Sequence, residues 1–276
     1  MKKIIYLTML AVLALGVLAG CTQQANTPAA EQGQSTIERI VAKKKVVIGT
    51  APGYLPFEMK DKQGNFIGYD IDLGKAIAAA LKVEVEFKQY DFSALIPALQ
   101  IGEIDLLIAG MTIRGDRALA VSFSDPYYAT GQVLMVPAKD TKTAAWKDLD
   151  VAGKKIAAAQ GTTGALLAKQ LFKHATVVDY DDFPTAAMAL TQGQADGMIY
   201  DEPAIRIYEV MQKSSVRGIY DLISAENLGI AVKLNDLKTV QWLNSFLQFY
   251  INSPEELASR TKWFETSDWM DDVEGN

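Results

Sequence analysis

The chain has 276 residues, 49% hydrophobic and 22% charged, enough for one large globular domain or two smaller ones. A net charge of −6, with no block of five or more like charges, argues against a nucleic-acid partner. Cys21 is the only cysteine, which excludes an intrachain disulfide, so the fold must rest on its core.

At the start of the chain, Lys2 and Lys3 precede an apolar run at 4–17, and Leu18-Ala19-Gly20-Cys21 follows. A basic start, a short apolar core and small residues before a cut site predict an export signal at 1–20, too short for a membrane span. Residues 22–34, "TQQANTPAAEQGQ", carry no aliphatic side chain larger than Ala and predict a flexible tether. Cys21 and the tether together occupy 21–36, with a short capped helix, "STIERIVAKKK", starting at Ser35. "KVVIGT" then reads as a strand and "DIDLGKAIAAALK" as a helix capped by Asp70. "VEVEFKQ" is an alternating strand, "SALIPALQIG" a helix and "IDLLIAG" a buried strand. This alternation predicts an α/β fold with a largely parallel sheet.

The chain partly repeats itself. "FSALIPALQIGEIDLLIAG" at 92–110 matches "FPTAAMALTQGQADGMIYD" at 183–201 with an offset of 91 residues. Phe92 falls on Phe183, Ala98-Leu99 on Ala189-Leu190, Gly102 on Gly193, Asp105 on Asp196 and Ile108 on Ile199. A looser echo pairs "KKVVIGTAPG" at 44–53 with "KKIAAAQGTT" at 154–163. Two echoes in the same order predict two similarly built lobes, although helix–Gly–strand units are common in any α/β protein. Ligands of open α/β sheets bind beyond the carboxyl ends of the strands. Those ends are 50–54, 110–112, 160–163 and 200–201, which would line one cleft.

Arg117 falls in the first turn of an expected helix, where the dipole disfavours a cation. Two readings stand for it. It either grips an anionic ligand beside Thr112 and Gly110, or forms a surface salt bridge with Asp116 or Asp125. Arg114 reads as solvated. At the position echoing Gly110 stands Asp201, either just outside a helix capped by Glu202, with Pro203 at its first position, or the cap itself. An arginine and an aspartate from opposite lobes would suit the carboxylate and ammonium of an α-amino acid. Tyr54, Phe57, Phe92 and Tyr200 are aromatic candidates for the pocket, Phe57 fitting the core better. Trp242, Phe246 and Tyr250, four apart, read as a core stripe. The only histidine, His174, reads as surface, and Asp181-Asp182 and Asp271-Asp272 as solvated. No metal-ligand spacing, phosphate loop or dinucleotide fingerprint occurs in the sequence.

"GYLPFE", "GYDIDLGKAIA", "DFSALIPALQIGEIDLLIAGMTI", Arg117 followed by "FSDPYY", "QGTTG" and "YDEPA" together resemble the amino-acid-binding proteins of ABC importers. These are the type 2 periplasmic solute-binding proteins of the polar amino acid family, and the similarity runs over about 37–264. "LAGC" resembles the lipobox of bacterial lipoproteins. The resemblance implies a two-lobed α/β periplasmic-binding-protein fold with two strands crossing between lobes. Lobe 1 would be 37–127 plus 230–276 and lobe 2 would be 132–225, with hinges near 127–131 and 226–230.

The resemblance places the ligand's α-carboxylate on Arg117, with Gly110, Met111 and Thr112 beside it, and the ammonium on Asp201 next to Tyr200. Tyr54 and Phe92 become aromatic walls, and Thr162 and Thr163 contribute from lobe 2. No cofactor, metal or catalytic residue is expected. The implied partners are a free L-amino acid, the membrane permease of an ABC importer, and the membrane through lipidated Cys21. The protein is expected to be a monomer, exported to the cell envelope or periplasm. Relatives specific for basic amino acids often carry an acid where this chain has Ala51. A ligand cation would then sit between Tyr54 and Phe92, and a polar ligand such as glutamine or arginine is expected. The main alternative is a cyclohexadienyl (prephenate or arogenate) dehydratase-like enzyme on the same scaffold. The glutamate acid of those enzymes falls on Gly164, which leaves the elimination without a proton donor. A ligand-sensing ectodomain would normally continue into a membrane span, which is not expected before Asn276.

Overall fold

The structure, a computed structural model, describes residues 33–274. The expected export signal, Cys21 and most of the expected tether lie outside the described residues. The predicted cap is present. The Ser35 hydroxyl accepts from Glu38 N–H at 3.4 Å and the Glu38 carboxylate accepts from Ser35 N–H at 3.0 Å. Ser35 and Thr36 therefore belong to the folded unit rather than to the tether. Helix α1 (Thr36–Lys43) buries Ile37 and Ile40 and ends at Lys44, which is left-handed with φ 56°.

Strand β1 (Lys45–Thr50) leads to a small hairpin of β2 (Met59–Lys60) and β3 (Phe66–Ile67), then to α2 (Tyr69–Leu81) and β4 (Glu84–Gln89). Helix α2 is capped by Gly68, with φ 131°, and not by Asp70. Asp70 lies in the first turn with its carboxylate turned inward. A 3₁₀ turn at Phe92–Ala94 feeds α3 (Leu95–Ile101), which stops at Gly102, and β5 (Leu106–Leu107), β6 (Val121–Phe123) and β7 (Tyr128–Thr130) follow. The second half runs through β8 (Gln132–Pro137), β9 (Lys155–Ala159), α4 (Thr163–Leu171), β10 (Thr176–Tyr180), α5 (Phe183–Thr191), β11 (Gly197–Asp201), α6 (Glu202–Met211) and β12 (Val216–Ile219). The chain returns through β13 (Glu226–Leu228) to β14 (Ala231–Lys233), α7 (Leu237–Tyr250) and α8 (Pro254–Arg260).

Two five-stranded sheets result, ordered β4-β1-β5-β14-β6 and β10-β9-β11-β8-β12. In each, three neighbouring strands are parallel and the fourth is antiparallel to them, so the sheets are mixed rather than largely parallel. The antiparallel strands β8 and β14 are those the chain enters straight from the two-stranded β7–β13 ribbon. The chain arrives there from the end at which the parallel strands finish, so each must run the other way. The fold is thus two α/β lobes linked by a crossing pair of strands.

The internal echo has a structural cause. Gly102 and Gly193 both take left-handed backbone, with φ 80° and 74°, to end a helix. Asp105 accepts from Val47 N–H at 2.9 Å and Asp196 accepts from Lys155 N–H at 2.9 Å, each tying the start of a strand to the neighbouring strand. The C-terminal aromatic stripe is placed differently. Leu243, Leu247 and Tyr250 face the core, while Trp242 and Phe246 are half-buried and stack at its margin with centroids 5.6 Å apart. His174 is largely exposed beside Asp150.

Candidate ligand-binding cleft

The loops after β1, β5, β9 and β11 converge on a cleft of about 680 Å³, measured to its open mouth. Tyr54, Phe92, Gly110, Thr112, Arg117, Thr162, Thr163, Tyr200 and Asp201 all line it. Met111 does not. Backbone alternation turns it away from its neighbours, and it packs in the core with Leu95, Leu99 and Val121. Phe57, also buried, stacks under Tyr54 at 4.6 Å.

The helix expected at Arg117 is a single 3₁₀ turn, Arg117–Leu119, too short for a dipole to matter. Its surface alternative also fails: Asp116 pairs with Arg114 through Nε at 2.9 Å and Nη2 at 2.6 Å, so Arg114 is held rather than solvated. Arg117 itself is 6% exposed and in no ion pair among the described residues. Its Nη1 donates to Thr112 O at 2.9 Å and its Nη2 reaches across the cleft to Gly161 O at 2.8 Å. The Phe92 ring lies 5.3 Å from the guanidinium carbon. Burial, helped by the charge of Arg114, pulls its pKa down to about 10. A guanidinium has five N–H donors, so three remain for an anion.

Asp201 begins α6 from the N-cap position, with Pro203 one residue later than expected, but its side chain makes no cap bond. It points instead into the cleft wall, 8% exposed, with Oδ1 buried and unpartnered. Burial, and then the charge of Glu226, raise its pKa to about 7, while Gln132, Tyr54 and Arg117 oppose the rise. The Gln132 amide and the Tyr54 hydroxyl face it but close no hydrogen bond of ordinary geometry. Thr162 is spent on structure: its hydroxyl donates to Ala159 O at 2.7 Å and caps α4 at Ala165 N–H. Thr163 donates to Thr112 Oγ1 across the cleft at 3.1 Å, and Thr112 donates to Glu226 at 2.8 Å.

Gly110 does not offer its amide to the cleft. That N–H donates to Asp70 Oδ2 at 2.7 Å, an oxygen that also accepts from the Tyr127 hydroxyl at 2.8 Å. Gly110 is left-handed, φ 54°, and a Cβ there would strike the Tyr54 ring. Behind it lies Glu58, fully buried, its carboxyl facing the Asp70 carboxyl and the Ala51 N–H. Burial and the Asp70 charge push its pKa well above the usual carboxylate range.

The sequence reading missed Glu58, Asp91 and Pro184, which line the cleft, and Glu226 in the crossing ribbon. Asp181 and Asp182 are exposed, as expected, but they also stand at the cleft mouth, and Asp182 caps α5. Glu58 carried a signal inside "GYLPFE", as the one charged residue of an apolar stretch.

Two α/β lobes, a crossing ribbon and a cleft holding unpaired charges of opposite sign define the architecture of a two-lobed binding protein. Comparison with known proteins agrees: the family described as bacterial extracellular solute-binding proteins, family 3, matches residues 46–266. The chain belongs to that family. A probable histidine-binding protein of Neisseria gonorrhoeae is 30% identical, over 91% of each chain. A glutamine-binding protein of Geobacillus stearothermophilus is 31% identical, over 82% of this chain and 90% of its own. Among solved structures, an ancestral amino acid-binding protein described as a precursor of cyclohexadienyl dehydratase superposes with a TM-score of 0.79 at 34% identity, over 83% of this chain and all of that one.

Proposed function

We propose that the protein is an exported receptor that captures a free L-α-amino acid with a polar side chain and delivers it to the permease of an ABC importer. In this reading it acts as a monomer held to the membrane by lipidated Cys21. The observation that carries it is the pair Arg117 and Asp201, each buried, with Arg117 lacking a carboxylate partner and Asp201 Oδ1 unbonded. A buried charge without a partner is expensive, on the order of several kcal/mol. A zwitterion answers both at once, its carboxylate taking parallel bonds from Arg117 and its ammonium meeting Asp201. Micromolar affinity needs about 8 kcal/mol, within reach of two charge-assisted contacts and aromatic burial.

The dehydratase alternative is disfavoured at the position it depends on. A Cβ on Gly164 would collide with the Ile199 carbonyl and lie 2.9 Å from Gln132 Oε1, so no acid fits there without moving backbone. The test is calorimetric titration with amino acids, prephenate and arogenate. Saturable binding of one or a few amino acids supports the receptor, and turnover of prephenate or arogenate overturns it.

A further inference from the structure

Besides the bridges made by Arg117 and Thr163, the two lobes touch at two places where one side is a glycine. Gly53, in the loop after β1, lies against Pro184 at the start of α5. A Cβ on Gly53, whose φ is 122°, would stand 2.9 Å from Pro184 Cγ and 3.1 Å from Pro184 Cδ. Gly161, in the loop after β9, lies against the 3₁₀ turn Phe92–Ala94. A Cβ there, at φ 75°, would stand 3.3 Å from Ser93 Cβ and 3.6 Å from Phe92 Cδ1. Non-bonded carbons prefer about 3.5–4.0 Å, so the Gly53 contact has no room for a side chain and the Gly161 contact has little.

The internal echo makes the two contacts equivalent. The loops after β1 and β9 end the paired stretches "KKVVIGTAPG" and "KKIAAAQGTT", and the offset that sets Phe92 on Phe183 also sets Ser93 on Pro184. Each lobe thus gives one glycine and receives the other. Both contacts bear on the clamp. Gly161 O accepts from Arg117 Nη2 at 2.8 Å, so the guanidinium crosses the cleft at that point. On the other flank, Pro52, Gly53, Gln89, Phe183 and Pro184 line both the ligand cleft and a second groove outside it. The Gly53–Pro184 contact is therefore part of the partition that keeps the cleft apart from that groove.

We infer that Gly53 and Gly161 are positioning residues for ligand capture: lacking side chains, they let the lobes close until Pro184 and Ser93 seat on bare backbone. The inference goes beyond the receptor reading and rests on it. A ligand favours the closed state only by contacts it does not have in the open one. Lobes stopped short of full closure lose part of that difference, so release of the ligand quickens while its capture by the open form is unchanged.

The experiment compares the unsubstituted protein with Gly53→Ala, Pro184→Ala, the double variant and Ser93→Phe. Each is titrated calorimetrically with the twenty common amino acids singly. The tightest binder is then followed by stopped flow and small-angle scattering. Gly53→Ala is expected to bind about tenfold more weakly, nearly all of it through faster dissociation, and its loaded form to have the larger radius of gyration. The positive φ of Gly53 disfavours a Cβ in open and closed forms alike, which lowers the melting temperature but does not by itself quicken release. Pro184→Ala removes the Cγ and Cδ that the new Cβ would meet. Adding Gly53→Ala to it should therefore change affinity by less than about twofold. Ser93→Phe adds bulk opposite Gly161 on an exposed residue of ordinary backbone, and should quicken release from the other flank. Unchanged affinity and radius in Gly53→Ala overturn the inference, as does an undiminished loss when Gly53→Ala is added to Pro184→Ala. If Gly53→Ala does not fold, Ser93→Phe decides, unchanged release counting against the inference. Absence of binding by every amino acid in the unsubstituted protein defeats the receptor reading itself, a failure distinct from tight binding that Gly53→Ala leaves intact.

Discussion

Arg117 is costly to the fold: a buried cation answered by two carbonyls and one aromatic face. Replacing it with Ala removes an uncompensated charge, so Arg117→Ala should leave the melting temperature equal or higher while weakening ligand binding at least a hundredfold. Calorimetry alongside a thermal melt separates the two effects, and a variant that loses its fold instead would make Arg117 structural. Gly110→Ala should destabilise by about 1–2 kcal/mol, because its left-handed backbone disfavours a Cβ and the Tyr54 ring occupies the space. Chemical denaturation reads that loss, and no loss would mean that the loop adjusts freely. Asp201 was legible in the sequence because the internal echo put it on a strand end opposite Gly110, and Arg117 because it stood as a cation in the turn that follows Gly110 and Thr112. Glu58 was not, since nothing in "GYLPFE" says on which side of the loop its carboxyl lies. Met111 was misplaced by treating a loop as if every residue faced the same way.

At the scale of elements, the start of α2 is a brace for the cleft. Asp70 does not cap its helix but holds the Gly110 amide and the Tyr127 hydroxyl, joining α2 to the loop after β5 and to the edge of the crossing ribbon. The sequence pattern gives a helix and an acid near its start, and a cap is then the cheapest guess. Only tertiary packing reveals the long-range partners. The brace has a pH dependence. Asp70 is raised to about 6 and Asp201 to about 7, chiefly by burial, against about 3.9 in an unfolded chain. The folded state therefore holds more protons than the unfolded state above pH 4. Their contribution is complete below about 4 and is lost as pH rises to about 6 for Asp70 and about 7 for Asp201. Melts of the protein without amino acid should show falling stability from pH 4 to 7, and saturating ligand should flatten the part due to Asp201. Stability rising through that window would contradict the burial of these carboxyls. The echoed pair offers a second check. Asp105→Ala and Asp196→Ala each leave a strand amide without its acceptor and should cost about 1–3 kcal/mol, a similar amount in the two lobes.

For the molecule as a whole, the mixed sheets follow from the crossing ribbon, which composition and periodicity alone do not announce. What the pattern did carry was the repetition of one unit, and with it two lobes and four strand ends. The structure joins the lobes across the cleft through Arg117 to Gly161 and Thr163 to Thr112, and Thr112 passes the contact on to Glu226 in β13. A ligand favours such a closed state only by the difference between its contacts there and in the open state. Binding should therefore compact the protein, and small-angle scattering with and without saturating ligand should show a decrease in radius of gyration. No change would mean that closure does not depend on the ligand.

Calorimetric titration decides whether Arg117 and Asp201 clamp a zwitterion. The protein is unfolded and refolded to strip any carried ligand, then titrated with each of the twenty amino acids, in parallel with Arg117→Ala and Asp201→Ala. Tight binding of one or a few amino acids, lost in both folded variants, is the predicted result. Equal binding by either variant, or no binding of any amino acid by the unsubstituted protein, would contradict it.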